Sequence, residues 1–150
     1  MNLSEIYAFL RAILYTLLTA ACLSSMGRRG HAEIANASLH ALVDALQPTD
    51  RVAIVAFARD ADLVLPFTAL TQREVVHRAL DGIESRGPTD LGRGLDLAYT
   101  TASLGWDRDR EARVVLATDG VATAGERDAS KLTTAVAAAA DAGLPLSILG

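Results

Sequence analysis

The chain has 150 residues, of which 51% are hydrophobic and 21% charged, and its formal net charge is -4. That balance describes a globular chain, rather than a disordered one, with enough residues for one core. Arginine is spread along the chain rather than gathered in a stripe, which argues against nucleic acid, and the single Cys22 excludes an internal disulfide framework or a cysteine-based zinc site.

The chain opens with the apolar segment IYAFLRAILYTLLTAACLSS, residues 6–25. Arg11 interrupts it, and Glu5 stands where a secretory signal carries positive charge. The stretch from Ala12 to Leu23 is too short to span a bilayer. LLTAAC resembles a lipoprotein cleavage box, which would place a lipid on Cys22. The competing reading makes YTLLTA a buried strand and leaves residues 1–13 as a leader or helix ahead of a domain over 14–150. A cytoplasmic location is expected, with membrane or lipid anchoring through residues 6–23 as the rival.

Next comes HAEIANASLHALVDAL, which puts Ile34, Leu39, Leu42, Val43 and Leu46 mostly at helical spacing. RVAIVAF (51–57) is a continuous β-branched run of the kind buried on both faces in a parallel sheet. ADLVLPF (61–67) follows after a short turn as its antiparallel partner, and Pro66 suits an edge. TQREVVHRALDGI repeats apolar residues at helical spacing, with Thr71 and Glu74 forming a predicted capping box. LGRGLDLAYTTASL carries Leu91, Leu95, Ala98 and Ala102 on one face, with Thr89 or Asp90 as its cap.

RVVLAT (113–118) is another buried-strand run, and DASKLTTAVAAAADAG reads as a helix capped by Asp128 and ended at Gly143. Its alanine-rich face predicts close packing on the sheet. LPLSILG gives a last strand, and the helix that would cover it is expected to be missing. Strands alternating with helices predict an α/β, doubly wound, mostly parallel sheet flanked by helices, with one antiparallel edge strand.

In open α/β sheets, ligands bind at the carboxyl ends of the strands. Three loops reach that end: Ser25 after the first strand, Thr89 before the GRGLDL helix, and Asp119 after RVVLAT. Two hydroxyls and a carboxylate suit a hard cation such as Mg²⁺. Each has a plainer reading: Asp119 as a turn residue, Thr89 as a helix cap, Ser25 as an ordinary loop serine. His31, His40 and His77 lack ligand spacing and read as solvated. Trp106 reads as a cover for the sheet edge rather than an exposed anchor.

DRVAIVAF, GPTDLGRGLDLAY, RVVLATDG and AGLPLSILG stand in the order and approximate spacing of a von Willebrand factor type A domain. From about His31 to Gly150 the chain resembles the bacterial branch of that family. The resemblance implies a Rossmann-like fold and a metal-ion-dependent adhesion site for protein ligands that offer an Asp or Glu. Thr89 and Asp119 match two of the family's three metal loops. Its Asp-x-Ser-x-Ser signature is damaged, because Ser25 takes the second serine while Ala21 and Leu23 replace the aspartate and first serine. Mg²⁺ binding is therefore expected to be weak or lost.

No P-loop, complete dinucleotide fingerprint or nucleophile elbow is present. The resemblance implies protein–protein interaction without catalysis. A small nucleotide-binding α/β enzyme of doubly wound type is the alternative, and retention on an immobilised nucleotide would distinguish it.

Overall fold

The computed structural model describes residues 16–21, 29–83, 89–106, 108–117 and 129–149, with backbone only at 16–21, 29–32 and 129. Strand β1 (Thr16–Ala21) is followed by α1 (Arg29–Ala45), β2 (Arg51–Phe57) and β3 (Ala61–Ala69). A 3-10 turn (Leu70–Gln72) leads into α2 (Arg73–Asp81), then α3 (Leu91–Gly105), β4 (Ala112–Ala117), α4 (Ala129–Asp141) and β5 (Leu146–Leu149). The five strands form one sheet in the order β3-β2-β1-β4-β5. All neighbouring pairs are parallel except β2 with β3, as the alternation of runs predicts.

β1 is thus the central strand, with Thr16 level with Arg51 on one side and Ala112 on the other. The predicted strand in this apolar segment is realised over Thr16–Ala21. Among the described residues no helix is long and apolar enough to cross a membrane.

The apolar runs are continuous because both faces of the sheet are covered. Side chains alternate along a strand, so Val52 and Ile54 face one layer while Ala53, Val55 and Phe57 face the other. The first layer is closed by Leu39, Val43 and Leu46 around α1 and by Val76 and Leu80 of α2. The second is closed by Ala98 and Ala102 of α3, together with Val114 and Leu116 of β4. β3 runs along the edge with Pro66 in it, and its pairing with β2 is irregular on both sides of Ile54.

Side chains from elsewhere finish the helices. The Arg73 guanidinium donates to the carbonyls of Asp44 (2.9 Å) and Leu46 (2.7 Å), filling acceptors that the end of α1 leaves open. The Thr71–Glu74 capping box does not form. Gln72 is the N-cap and makes no side-chain cap bond, because the 3-10 turn carries the chain straight into α2. Buried Leu70, whose N–H donates to the Asp50 carbonyl at 2.9 Å, anchors that entry instead.

Two core expectations are corrected. Ile34 is 67% exposed, and Ala35 takes the buried place on α1. The alanine-rich α4 does not press closely on the sheet: most of its residues are exposed, and Leu132, Val136 and Ala139 are only partly buried. Alanine favours a helix whether or not that helix is packed, so its abundance said nothing about burial. Trp106 covers the sheet as expected, with its indole N–H donating to the Arg110 carbonyl at 2.7 Å and its ring joining the α3-side core.

Candidate functional site

The parallel register brings the carboxyl ends of three strands together. Ala21 is level with Ala56 of β2 on one side and with Ala117 of β4 on the other. The central strand therefore ends on a residue with no donor atom, between two others that have none.

Thr89 is brought to this end by the chain entering α3. The Asp90 N–H donates to the Ala58 carbonyl at 2.7 Å, just past the end of β2, and the Ala58 N–H donates to the Asp60 carbonyl at 2.8 Å. Thr89 and Asp90 are both buried. Asp90 rather than Thr89 is the N-cap, its carboxylate accepting from the Arg93 N–H at 3.1 Å. The Arg93 side chain then ties the two loops together, reaching Asp60 at 2.9 Å and the Asp90 carboxylate at 3.4 Å. Ser25 and Asp119, the other two predicted metal ligands, lie outside the described residues, as do Leu23, Gly87 and Pro88.

Gly94 allows α3 to sit this low on the sheet. A Cβ there would lie 2.5 Å from the Phe57 ring, so the close backbone approach expected of the GRG segment is realised against the last residue of β2. Beside the site, α3 and α4 enclose a groove of about 350 Å³ lined by Leu95, Tyr99, Leu132 and Val136, with Asp96 and Lys131 among its polar residues. The Tyr99 hydroxyl is buried and has no hydrogen-bond partner among the described residues, and burial raises its pKa.

The donor set tests the metal directly. An octahedral Mg²⁺ site wants oxygen ligands, with carboxylates to hold the charge. Among the described residues there is no cluster of three or more His, Cys, Asp or Glu that could hold a metal ion. Thr89 is the one predicted ligand they include, and position 21 offers alanine. These residues do not by themselves fit a complete cation site.

Sequence reasoning missed one polar cluster altogether. His40 and His77, read as solvated and separate, meet between α1 and α2 with their Nδ1 atoms 2.5 Å apart. Their side chains are only 26% and 18% exposed. The available signal was a repeat, HALVD at 40–44 and HRALD at 77–81, which sets a histidine four residues before an aspartate in two successive helices.

A von Willebrand factor type A domain model matches residues 24–121. An uncharacterized Escherichia coli protein, YfbK, is 34% identical over 113 residues, covering 75% of this chain and 20% of its own length. The uncharacterized Mycobacterium tuberculosis protein Rv2850c is 34% identical over 116 residues, covering 76% of this chain and 18% of that protein. The chain thus spans about a fifth of these curated relatives. Among solved structures, the conserved hypothetical protein BatB from Bacteroides thetaiotaomicron superposes with a TM-score of 0.71 at 25% identity, over 91% of this chain and 66% of that one. A proximal thread matrix protein from the mussel byssus, described with a zinc-occupied MIDAS motif, gives 0.70 at 16% identity, over 91% and 37% of the two chains.

Proposed function

The chain belongs to the von Willebrand factor type A domain family, and from that premise we propose that it is a protein-binding module with an impaired metal-ion-dependent site and no catalysis of its own. Domains of this family generally mediate protein–protein interaction. The observation that carries the finer reading is the register at the carboxyl end of the sheet, where Ala21 lies between Ala56 and Ala117. If the first loop follows the family's alignment, Ala21 stands where that family places an aspartate.

On this reading Ser25, Thr89 and Asp119 are what remains of the ligand set. A lone carboxylate holds Mg²⁺ poorly, because the ion gives up its waters reluctantly. An Asp or Glu from the protein ligand would then supply charge that the chain itself lacks. Thr89, buried and fixed beside the end of β2, is the part of the set whose position supports this reading.

Calorimetric titration with Mg²⁺ and Mn²⁺ tests it. The natural chain should give no heat of binding at millimolar ion, and the double substitution Ala21→Asp, Leu23→Ser should restore binding. Tight binding by the natural chain would sink the impaired-site reading. A silent double variant would show that the first loop does not follow the family's alignment.

A further inference from the structure

Each histidine of the pair reaches across to the other helix. His40 on α1 bonds Asp81 on α2 through Nε2 at 2.9 Å, and His77 on α2 bonds Asp44 on α1 through Nε2 at 2.9 Å. The two H-x-x-x-D repeats thus exchange carboxylates. The ring centroids are 4.7 Å apart and the planes differ by 4°. With the Nδ1 atoms 2.5 Å apart, nearly parallel rings meet edge to edge, nitrogen to nitrogen, rather than face on face.

These contacts fix a proton count. An ionised carboxylate only accepts hydrogen bonds, so both Nε2 atoms carry a hydrogen. Two bare Nδ1 lone pairs facing each other would repel, and so would two N–H groups. Only one hydrogen between the Nδ1 atoms satisfies both rings, which gives the pair a single positive charge. The charged groups that meet the pair are Asp44 on α1, and Asp81 and Arg73 on α2, with Arg73 3.8 Å from the Asp44 carboxylate. Beneath the two helices, the sheet contributes apolar side chains, Val52, Ile54 and Leu65. With one shared proton, the five side chains sum to zero charge.

We propose that His40 and His77 form a binding site for one proton, held between their Nδ1 atoms, which fastens α1 to α2. A second proton would force two N–H groups together. Losing the shared proton would leave opposed lone pairs, or would turn one ring so that a bare Nε2 faces an aspartate. A metal ion is too large for the gap, since histidine nitrogens stand about 2.0–2.1 Å from zinc. The proposal does not rest on the metal-site reading.

If the shared proton fastens the helices, either ring is useless without the other. Urea unfolding of the full chain, of His40→Gln, of His77→Gln and of the double variant at pH 7 should show the folding constant lowered by the same factor in each single variant, and by no more in the double variant.

A double variant whose loss is the product of the two single losses would overturn the proposal. Ring-nitrogen NMR of the natural chain gives a test that needs no variant. At pH 7 both Nε2 atoms should be protonated and the Nδ1 signals should lie midway between the protonated and bare extremes. Two separate neutral rings, each with a bare Nδ1, would refute the shared proton. So would equimolar Zn²⁺ that raises the melting temperature of the natural chain but not of His77→Gln, because the site would then be a metal site.

Discussion

A methyl group at Gly94 would meet the Phe57 ring at 2.5 Å, and Phe57 is buried. Gly94→Ala should therefore cost about 1–3 kcal/mol in urea unfolding, the range for overpacked cores. Gly82→Ala is the control. Its Cβ would lie an ordinary 3.4 Å from the Arg78 carbonyl at a φ of -81°, so it should be neutral or gain about 0.4–1 kcal/mol. Asp50 makes a pH prediction. Burial raises its pKa, against lowering by the Gln47 N–H (2.7 Å from the carboxylate) and by the charge of Arg110. A raised acid favours folding fully only below its unfolded value, about 3.9, and that contribution is lost as pH rises through the folded value. Asp50→Asn should accordingly be more stable than the natural chain at pH 7, with the gap closing by pH 3. Legibility at this scale was uneven. Asp90 and Thr89 are adjacent and both can cap, so sequence alone left the choice open. The hydrogen bond that the Arg93 N–H donates to the Asp90 carboxylate decides it.

Between elements, the contrast lies between α3 and α4. α3 buries Leu95, Ala98 and Ala102, whereas α4 has no fully buried residue among those whose burial is described. Few buried apolar contacts mean a low cost of local opening. Amides of α4 should exchange with deuterium about tenfold or more faster than those in the middle of α3, and equal protection would contradict the packing described here. The strands were readable because a run such as VAIVAF has one economical explanation, a strand covered on both faces. The helices were readable as helices, but their surroundings were not. Ile34 fits the helical spacing yet faces water, because α1 needs only a narrow stripe to cover its part of the sheet. The histidine pair was hidden for a related reason: its spacing is regular within each helix, but the chemistry arises only where two helices meet.

For the molecule as a whole, the parallel strands and the antiparallel edge followed from the alternation of strands and helices, whereas the strand order came from the structure. Of the three candidate ligands, Thr89 alone falls among the described residues, buried beside the end of β2. Ser25 and Asp119 rest on their place in the sequence alone. At the far side of the sheet β5 forms an edge on which Ile148 is 65% exposed, and Leu104 on α3 is 85% exposed. Unpaired strand edges with apolar side chains favour association. Sedimentation of this 150-residue chain should show concentration-dependent self-association, and Ile148→Lys should weaken it by about tenfold, or ~1.4 kcal/mol. A natural chain that stays monomeric at high concentration would contradict this.

The position of β1 also bears on how the molecule is made. It is the central strand, yet its two partners lie far apart in sequence, with Thr16 pairing Arg51 on one side and Ala112 on the other. During synthesis β1, β2 and β3 leave the ribosome well before β4. Half of the sheet can assemble early, while the other edge of β1 waits uncovered until the Ala112–Ala117 segment emerges. Pairings between distant segments close slowly, and a waiting strand edge is open to wrong partners. The same placement that gathers the strand ends into one site thus leaves the nascent chain most vulnerable at its own centre.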